Sequence, residues 1–211
     1  MTRIVLVRHG QALAFTEQVV AGHGCKGLSD HGRLQAASLR DRLVRTGELR
    51  DASVLYASLM RRAHETAEII SPGVGDGSLE IRQDCGLCEQ HPGDADGILW
   101  SEYDARFGGL QSLEIEDRSH VAAPGSESID MMVARVGDAL DRLATEHPNE
   151  TIVIACHGGV VGCSFEALAG IRLNSLVRYT ENTAITEWKH SDRGWELVRY
   201  TDAAHLSFSR Q

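Results

Sequence analysis

Ile4 to Val7 form an aliphatic run bounded by Arg3 on one side and by Arg8-His9-Gly10 on the other. An almost unbroken apolar run of this length reads as a strand buried on both faces, with its polar residues gathered at the C-terminal end. A glycine-rich loop follows (Gly22, Gly24, Gly27). Ser29 can then cap a helix whose apolar positions Leu34, Ala37, Leu39 and Leu43 keep helical spacing up to Gly47. Ser53 to Ala57 predicts a second strand, and Ser58 is placed to open a helix through Arg62, Ala63, Thr66 and Ile69 that Pro72 and Gly73 stop. Residues 73–125 carry scattered Gly, Asp and Pro with one candidate helix from Ile98 to Phe107, and read as an insertion or lid. From Ser128 to His147 the positions Ile129, Met132, Val133, Val136, Leu140 and Leu143 give an amphipathic helix closed by Pro148. Thr151 to Cys156 is the strongest strand signal, and it too ends on a polar signature, His157-Gly158-Gly159. A helix from Val160 to Ala169 follows, and then Thr183 to Trp188 and Trp195 to Tyr200 alternate as strands around a polar turn at Ser191 to Gly194. Strands alternating with helices predict a three-layer α/β fold with a mainly parallel sheet. Ligands in such sheets bind beyond the C-terminal strand ends, where both His-Gly signatures lie.

Length and composition narrow the class. A chain of 211 residues predicts a single domain, residues 1–211, and 42% apolar residues together with 21 glycines are enough for a real core. Twenty-one Lys and Arg against 30 Asp and Glu leave a net charge of −9, which disfavours nucleic acid and anionic membranes but leaves an anionic small molecule open. Five cysteines are too few and too odd in number for a disulfide framework, and no apolar run reaches the roughly 18 residues of a membrane helix. A reduced, cytoplasmic protein is expected.

The candidate chemistry sits at the strand ends. Two histidines, His9 and His157, each followed by glycine, present imidazoles beside backbone that a ligand can approach closely. Arg8 and the Arg61-Arg62 pair add guanidinium forks suited to a phosphoryl group, and helical spacing lets only one of Arg61 and Arg62 face the site, with Arg61 at the surface. A neutral imidazole nitrogen attacks phosphorus competently, and arginines neutralise the oxygens as charge spreads in the transition state. Three other patterns carry less. Gly22-His23-Gly24-Cys25-Lys26-Gly27 matches G-x-G-x-x-G but starts well after the first strand ends, outside the dinucleotide-binding context. Cys85-Gly86-Leu87-Cys88 is a lone CxxC with no second pair, which argues against zinc or redox chemistry. The conspicuous histidines among the ten stand next to arginines that would repel a cation, so no metal is expected in catalysis.

Taken together, the ordered set Arg8-His9-Gly10-Gln11, Leu28-Ser29 with Gly32 and Gln35-Ala36, Ser58-Leu59 with Arg62-Ala63 and Thr66-Ala67, Glu89 with Gly93 and Gly97, Pro124-Gly125 with Glu127-Ser128, His157-Gly158-Gly159, and Glu181-Asn182-Thr183 resembles the histidine phosphatase superfamily, the phosphoglycerate mutase-like family. The resemblance covers nearly the whole chain. It implies a phosphoglycerate mutase-like fold with His9 as the nucleophile that becomes phosphorylated, Arg8, Arg62 and His157 as the phosphate pocket, and Glu89 as proton donor to the leaving oxygen. It further implies substrate contacts at Gly10, Gln11, Ser58, Gly158 and Asn182, with no cofactor and no metal. Gln11-Ala12 stands where a hydroxyl or a Glu often follows the glycine, and Ala95 where an aromatic is usual; both bear on substrate choice.

The leading expectation is a phosphomonoesterase for a small phosphorylated metabolite, free of nucleic-acid and membrane partners and compatible with a homodimer. One alternative is mutase-type transfer, which needs more chain for closure over the phosphoenzyme than residues 89–125 offer. The other is a non-catalytic phosphate-binding module, against which the intact set Arg8, His9, Arg62, Glu89 and His157 stands.

Overall fold

The computed structural model describes residues 1–108, 118–173 and 180–209. Its elements are, in chain order, β1 (Thr2–Arg8), α1 (Leu13–Glu17), α2 (Asp30–Thr46), β2 (Ala52–Ala57), α3 (Arg61–Ile70), β3 (Ile81–Gln83), α4 (Trp100–Phe107), α5 (Ile129–Glu146), β4 (Thr151–Cys156), α6 (Gly158–Ala169), β5 (Ile185–Ser191) and β6 (Gly194–Asp202). The six strands form one sheet in the order β3-β2-β4-β1-β5-β6. From β3 to β1 the neighbours run parallel; β5 and β6 make an antiparallel hairpin at the other edge. The sheet is therefore mainly parallel, as the alternation of strands and helices predicts.

Side-chain alternation builds the layers. Ile4 and Leu6 of β1 with Ile152 and Ile154 of β4 join Met132, Val136, Leu140, Val160 and Phe165 on the α5/α6 side. Val5, Val7 and Val153 join Ala36, Leu39, Leu43 and Ile70 on the α2/α3 side. Both faces of the central strands are covered, which is why they read as unbroken apolar runs. Caps fix the helix ends that the sequence predicts: the Ser29 Oγ accepts the Gly32 amide at 3.0 Å, the Ser128 Oγ accepts the Met131 amide at 3.2 Å, and Gly47 closes α2 in the left-handed region at φ 64°.

Four predicted boundaries shift. Ser58 does not open α3, which starts at Arg61, because its hydroxyl is engaged with His157. The stretch after residue 73 is not wholly irregular: Ile81–Gln83 adds β3 to the sheet edge, and Leu87 is buried in the core. Helix α6 begins at Gly158, so both glycines of the second signature lie in its first turn. Thr183 sits before β5 in a left-handed conformation at φ 58°. The portion of the expected lid at residues 109–117 lies outside the described residues. Among the described residues, no helix is long and apolar enough to cross a membrane.

Candidate active site

Strands β1 and β4 pair with Arg8 opposite Cys156, so the next residue on each is a histidine. The His9 amide donates to the Cys156 carbonyl at 2.9 Å, carrying the pairing one step past the strand end. The two imidazoles are buried and meet edge to face, with ring centroids 5.0 Å apart. The Nδ1 of His9 lies 2.6 Å from the Gly10 carbonyl oxygen. A carbonyl can only accept, so the proton sits on Nδ1 and the lone pair on Nε2. The Nε–H of Arg62 points at that lone pair from 3.1 Å. Arg62 is itself buried, and its two terminal nitrogens donate to the Ala21 carbonyl at 3.0 Å and toward the Met60 sulfur at 3.2 Å. Arg61, by contrast, is exposed and paired with Glu65 at 2.8 Å.

His157 is fully buried. Its Nε2 lies 2.7 Å from the Ser58 Oγ, which also accepts the Met60 amide at 3.1 Å, while its Nδ1 has no hydrogen-bond partner among the described residues. Both imidazoles are held neutral, well below the usual histidine value. Burial is the main cause for each; Arg62 and Arg8 add to it, and for His157 so does the neighbouring His9.

Glu89 reaches the site from the irregular segment. Its Oε2 accepts the Gly159 amide at 3.1 Å in the first turn of α6, and its Oε1 accepts the Gln90 amide at 3.0 Å. A Cβ at position 159 would occupy the place of the Glu89 carboxylate and push it aside, so glycine there leaves room for Glu89 to reach the helix start. The Glu89 loop is held from behind by Arg135, whose guanidinium donates to the carbonyls of Gly86 and Cys88 at 3.0 Å and pairs with Glu127 at 2.7 Å. Sequence reading does not single out Arg135. The available signal is a cation in register with Met132 and Ala139 on the apolar face of α5.

The remaining expected residues frame the histidines. The Arg8 guanidinium donates to the Thr180 carbonyl, and the Asn182 Nδ2 donates to the His9 carbonyl at 2.8 Å. The Gly10 amide bonds to the Thr66 Oγ1 at 3.1 Å, and a Cβ on Gly10 would strike the Gly32 backbone. The Gln11 Oε1 accepts the Ser29 hydroxyl at 2.9 Å. Gly158 lies in the first turn of α6, whose amides make that end of the helix favourable to an anion. Three other carboxylates are committed elsewhere: Asp96 to the Gly22 and Gly24 amides, Glu102 to Arg106, and Glu127 to Arg135. Beside Gly158 and Gly159 a cavity of about 270 Å³ opens, lined by Ile129, Val133, Leu173 and Tyr200 and by Arg118 and Arg172, both paired with Glu166.

Known proteins resemble the chain over nearly its whole length. A family model for the histidine phosphatase superfamily (branch 1) matches residues 4–203. The chain is 33% identical over 208 residues to phosphoglycerate mutase-like protein 4 of Arabidopsis thaliana, covering 96% of this chain and 86% of that one. It is 29% identical over 220 residues to the metal-independent phosphoserine phosphatase of the same plant, covering 98% and 84%. Among solved structures, YhfR of Bacillus stearothermophilus superposes with a TM-score of 0.82 at 26% identity, over 98% of this chain and all of that one.

The buried neutral histidines make stability depend on pH in a defined window. With His205, which burial pushes down to about 4, His9 and His157 refuse protons that the unfolded chain takes up below the ordinary value of 6.5. Stability is therefore full above pH 6.5 and lost as pH falls toward 4. The lowered carboxylates Glu48 and Glu187 lose stability only below their ordinary value of 4.5, so the upper half of the window belongs to histidine. A melting temperature that falls steadily between pH 7 and 5 is expected; a flat profile there would contradict neutral burial.

Proposed function

The chain belongs to the histidine phosphatase superfamily, and from that premise we propose that it is a phosphomonoesterase acting on a small phosphorylated metabolite through a phosphohistidine on His9. The observation that carries this reading is the His9 Nε2, an unprotonated ring nitrogen aimed at Arg62 and facing a second neutral imidazole.

The steps follow from these contacts. An incoming phosphoryl oxygen takes over the Arg62 Nε–H, which releases the Nε2 lone pair for attack. Arg8, Arg62 and the Gly158 amide at the start of α6 bind the phosphoryl oxygens. With the Ser58 hydroxyl donating to the His157 Nε2, the proton of that ring sits on its unpartnered Nδ1 and is offered to another oxygen. The Nε2–P bond forms as the bond from phosphorus to the leaving oxygen breaks, with Glu89 as the proton donor to that oxygen. Water then attacks the phosphohistidine as the Glu89 carboxylate accepts its proton, and the N–P bond breaks to restore neutral His9 and release phosphate. The two guanidiniums supply the positive charge at phosphorus and the His157 Nδ1–H a hydrogen bond, so no step uses a divalent ion. The cavity beside Gly158 receives the body of the leaving alcohol, and its largely apolar wall with internally neutralised arginines favours an uncharged carbon skeleton.

Two measurements test this. Acid-labile, base-stable labelling from a phosphate donor is expected in the wild type and absent in His9→Ala; label persisting in that variant would remove His9 from the chemistry, and isomerised phosphoglycerate exceeding free phosphate would assign transfer in place of hydrolysis. Glu89→Gln keeps size and removes the proton. It is expected to slow phosphoenzyme formation by roughly 10²–10⁴-fold with alkyl phosphates and much less with p-nitrophenyl phosphate, whose leaving group needs no proton. Equal losses with both would make Glu89 a positioning residue.

A further inference from the structure

The lone CxxC does not stand alone in three dimensions. His23, Cys85 and Cys88 offer ligand atoms that all lie within 4.8 Å of one another. His91 joins them: its Nε2 is 4.0 Å from the Cys85 Sγ, and its ring centroid is 5.1 Å from that of His23. The second pair that the sequence lacks is thus supplied by two histidines, one three residues after Cys88 and one from the glycine-rich loop before α2. In a tetrahedral site with metal–sulfur bonds of about 2.3 Å and metal–nitrogen bonds of about 2.0–2.1 Å, adjacent ligand atoms sit roughly 3.3–3.8 Å apart. The atoms of His23, Cys85 and Cys88 lie near that spacing, and His91, already 4.0 Å from the Cys85 sulfur, has to swing in as the fourth.

The backbone holds these side chains in place. The turn at Cys85–Leu87 is capped by Asp84, which accepts the Gly86 amide at 2.7 Å, and is closed by the Cys88 amide on the Cys85 carbonyl at 3.0 Å. Across from it, one carboxylate, Asp96, takes the amides of Gly22 and Gly24 at 2.8 Å each, and Gly22 packs so closely on the Pro92 ring that a Cβ there would collide. His23 is thereby held opposite His91. The outer contacts also suit thiolate ligands. The Arg135 guanidinium, bonded to the carbonyls of Cys85 and Cys88, brings positive charge beside both sulfurs.

We propose that His23, Cys85, Cys88 and His91 form a Cys₂His₂ site for a zinc ion. Two sulfurs and two imidazoles in tetrahedral arrangement select a borderline-soft divalent ion. Binding forms two Zn–S bonds and releases the two thiol protons to solvent, leaving a neutral centre. The ion lies apart from the reacting phosphorus and fastens two walls of the pocket: the loop whose Ala21 carbonyl holds Arg62, and the loop that carries Glu89.

The test uses the untagged full-length protein under a phosphine reductant, with zinc and cobalt(II) as probes. Wild type is expected to bind one zinc per chain with a rise in melting temperature, and its cobalt form to show thiolate-to-metal charge transfer with tetrahedral ligand-field bands. Cys85→Ser and His23→Ala remove partly or wholly exposed ligands and leave the core untouched. Each should weaken zinc binding by more than roughly 100-fold, beyond what outer contacts contribute. His31→Ala, on the exposed face of α2, should bind as wild type does. An octahedral cobalt spectrum without the thiolate band, or zinc held equally by Cys85→Ser, would overturn the proposal. Neither readout depends on phosphatase turnover, so the fate of the catalytic reading is decided separately.

Discussion

The in-register pairing of β1 with β4 is the constraint from which the rest of the site follows. Arg8 opposite Cys156 makes the next residue on each strand a histidine, and the two rings meet 5.0 Å apart. A slip of one residue would turn Ile4 and Leu6 toward the α2/α3 side and Val5 and Val7 toward α5/α6, exchanging two sets of buried side chains of different shape. Because both faces of these strands are packed, the core itself fixes the register, and the register fixes the histidine pair. The glycines after the histidines then allow close approach: Gly10 against the Gly32 backbone and Gly159 against Glu89.

Burial and charge act together within that frame. A chain with net charge −9 concentrates Arg8, Arg62 and two imidazoles at one strand-end crevice, and the protein leaves the imidazoles uncharged there. Neutral His9 keeps its nucleophilic lone pair, and the two guanidiniums supply the positive field that an anion would complete. Backbone acceptors help hold both arginines, Ala21 for Arg62 and Thr180 for Arg8. Arg135 acts from further out, bracing the loop that brings the Glu89 carboxylate to the first turn of α6.

How much of this is legible in the sequence depends on how local the signal is. The runs at Ile4 to Val7 and Thr151 to Cys156 announce doubly covered strands, and the capping serines announce α2 and α5. Strand β3 is invisible because it has three residues, two of them exposed. Ser58 misleads because a serine before a helix is usually a cap, whereas this hydroxyl faces His157. Asn182 and Gln11 are expected at the substrate, yet their described contacts are to the His9 carbonyl and to Ser29. The CxxC looks isolated because His23 is brought beside it from the distant glycine-rich loop by the Asp96 clamp, which leaves no sequence spacing to read.

The hydrogen bond from the His9 Nδ1–H to the Gly10 carbonyl leaves the lone pair on Nε2, the nitrogen assigned to the proposed attack. Trapping the phosphoenzyme on protein carrying ¹⁵N-labelled histidine, and reading the phosphorus–nitrogen coupling by NMR, identifies that nitrogen directly. Phosphoryl attachment at Nε2 is expected. Attachment at Nδ1 would require that hydrogen bond to be broken and would contradict the orientation on which the proposed chemistry rests.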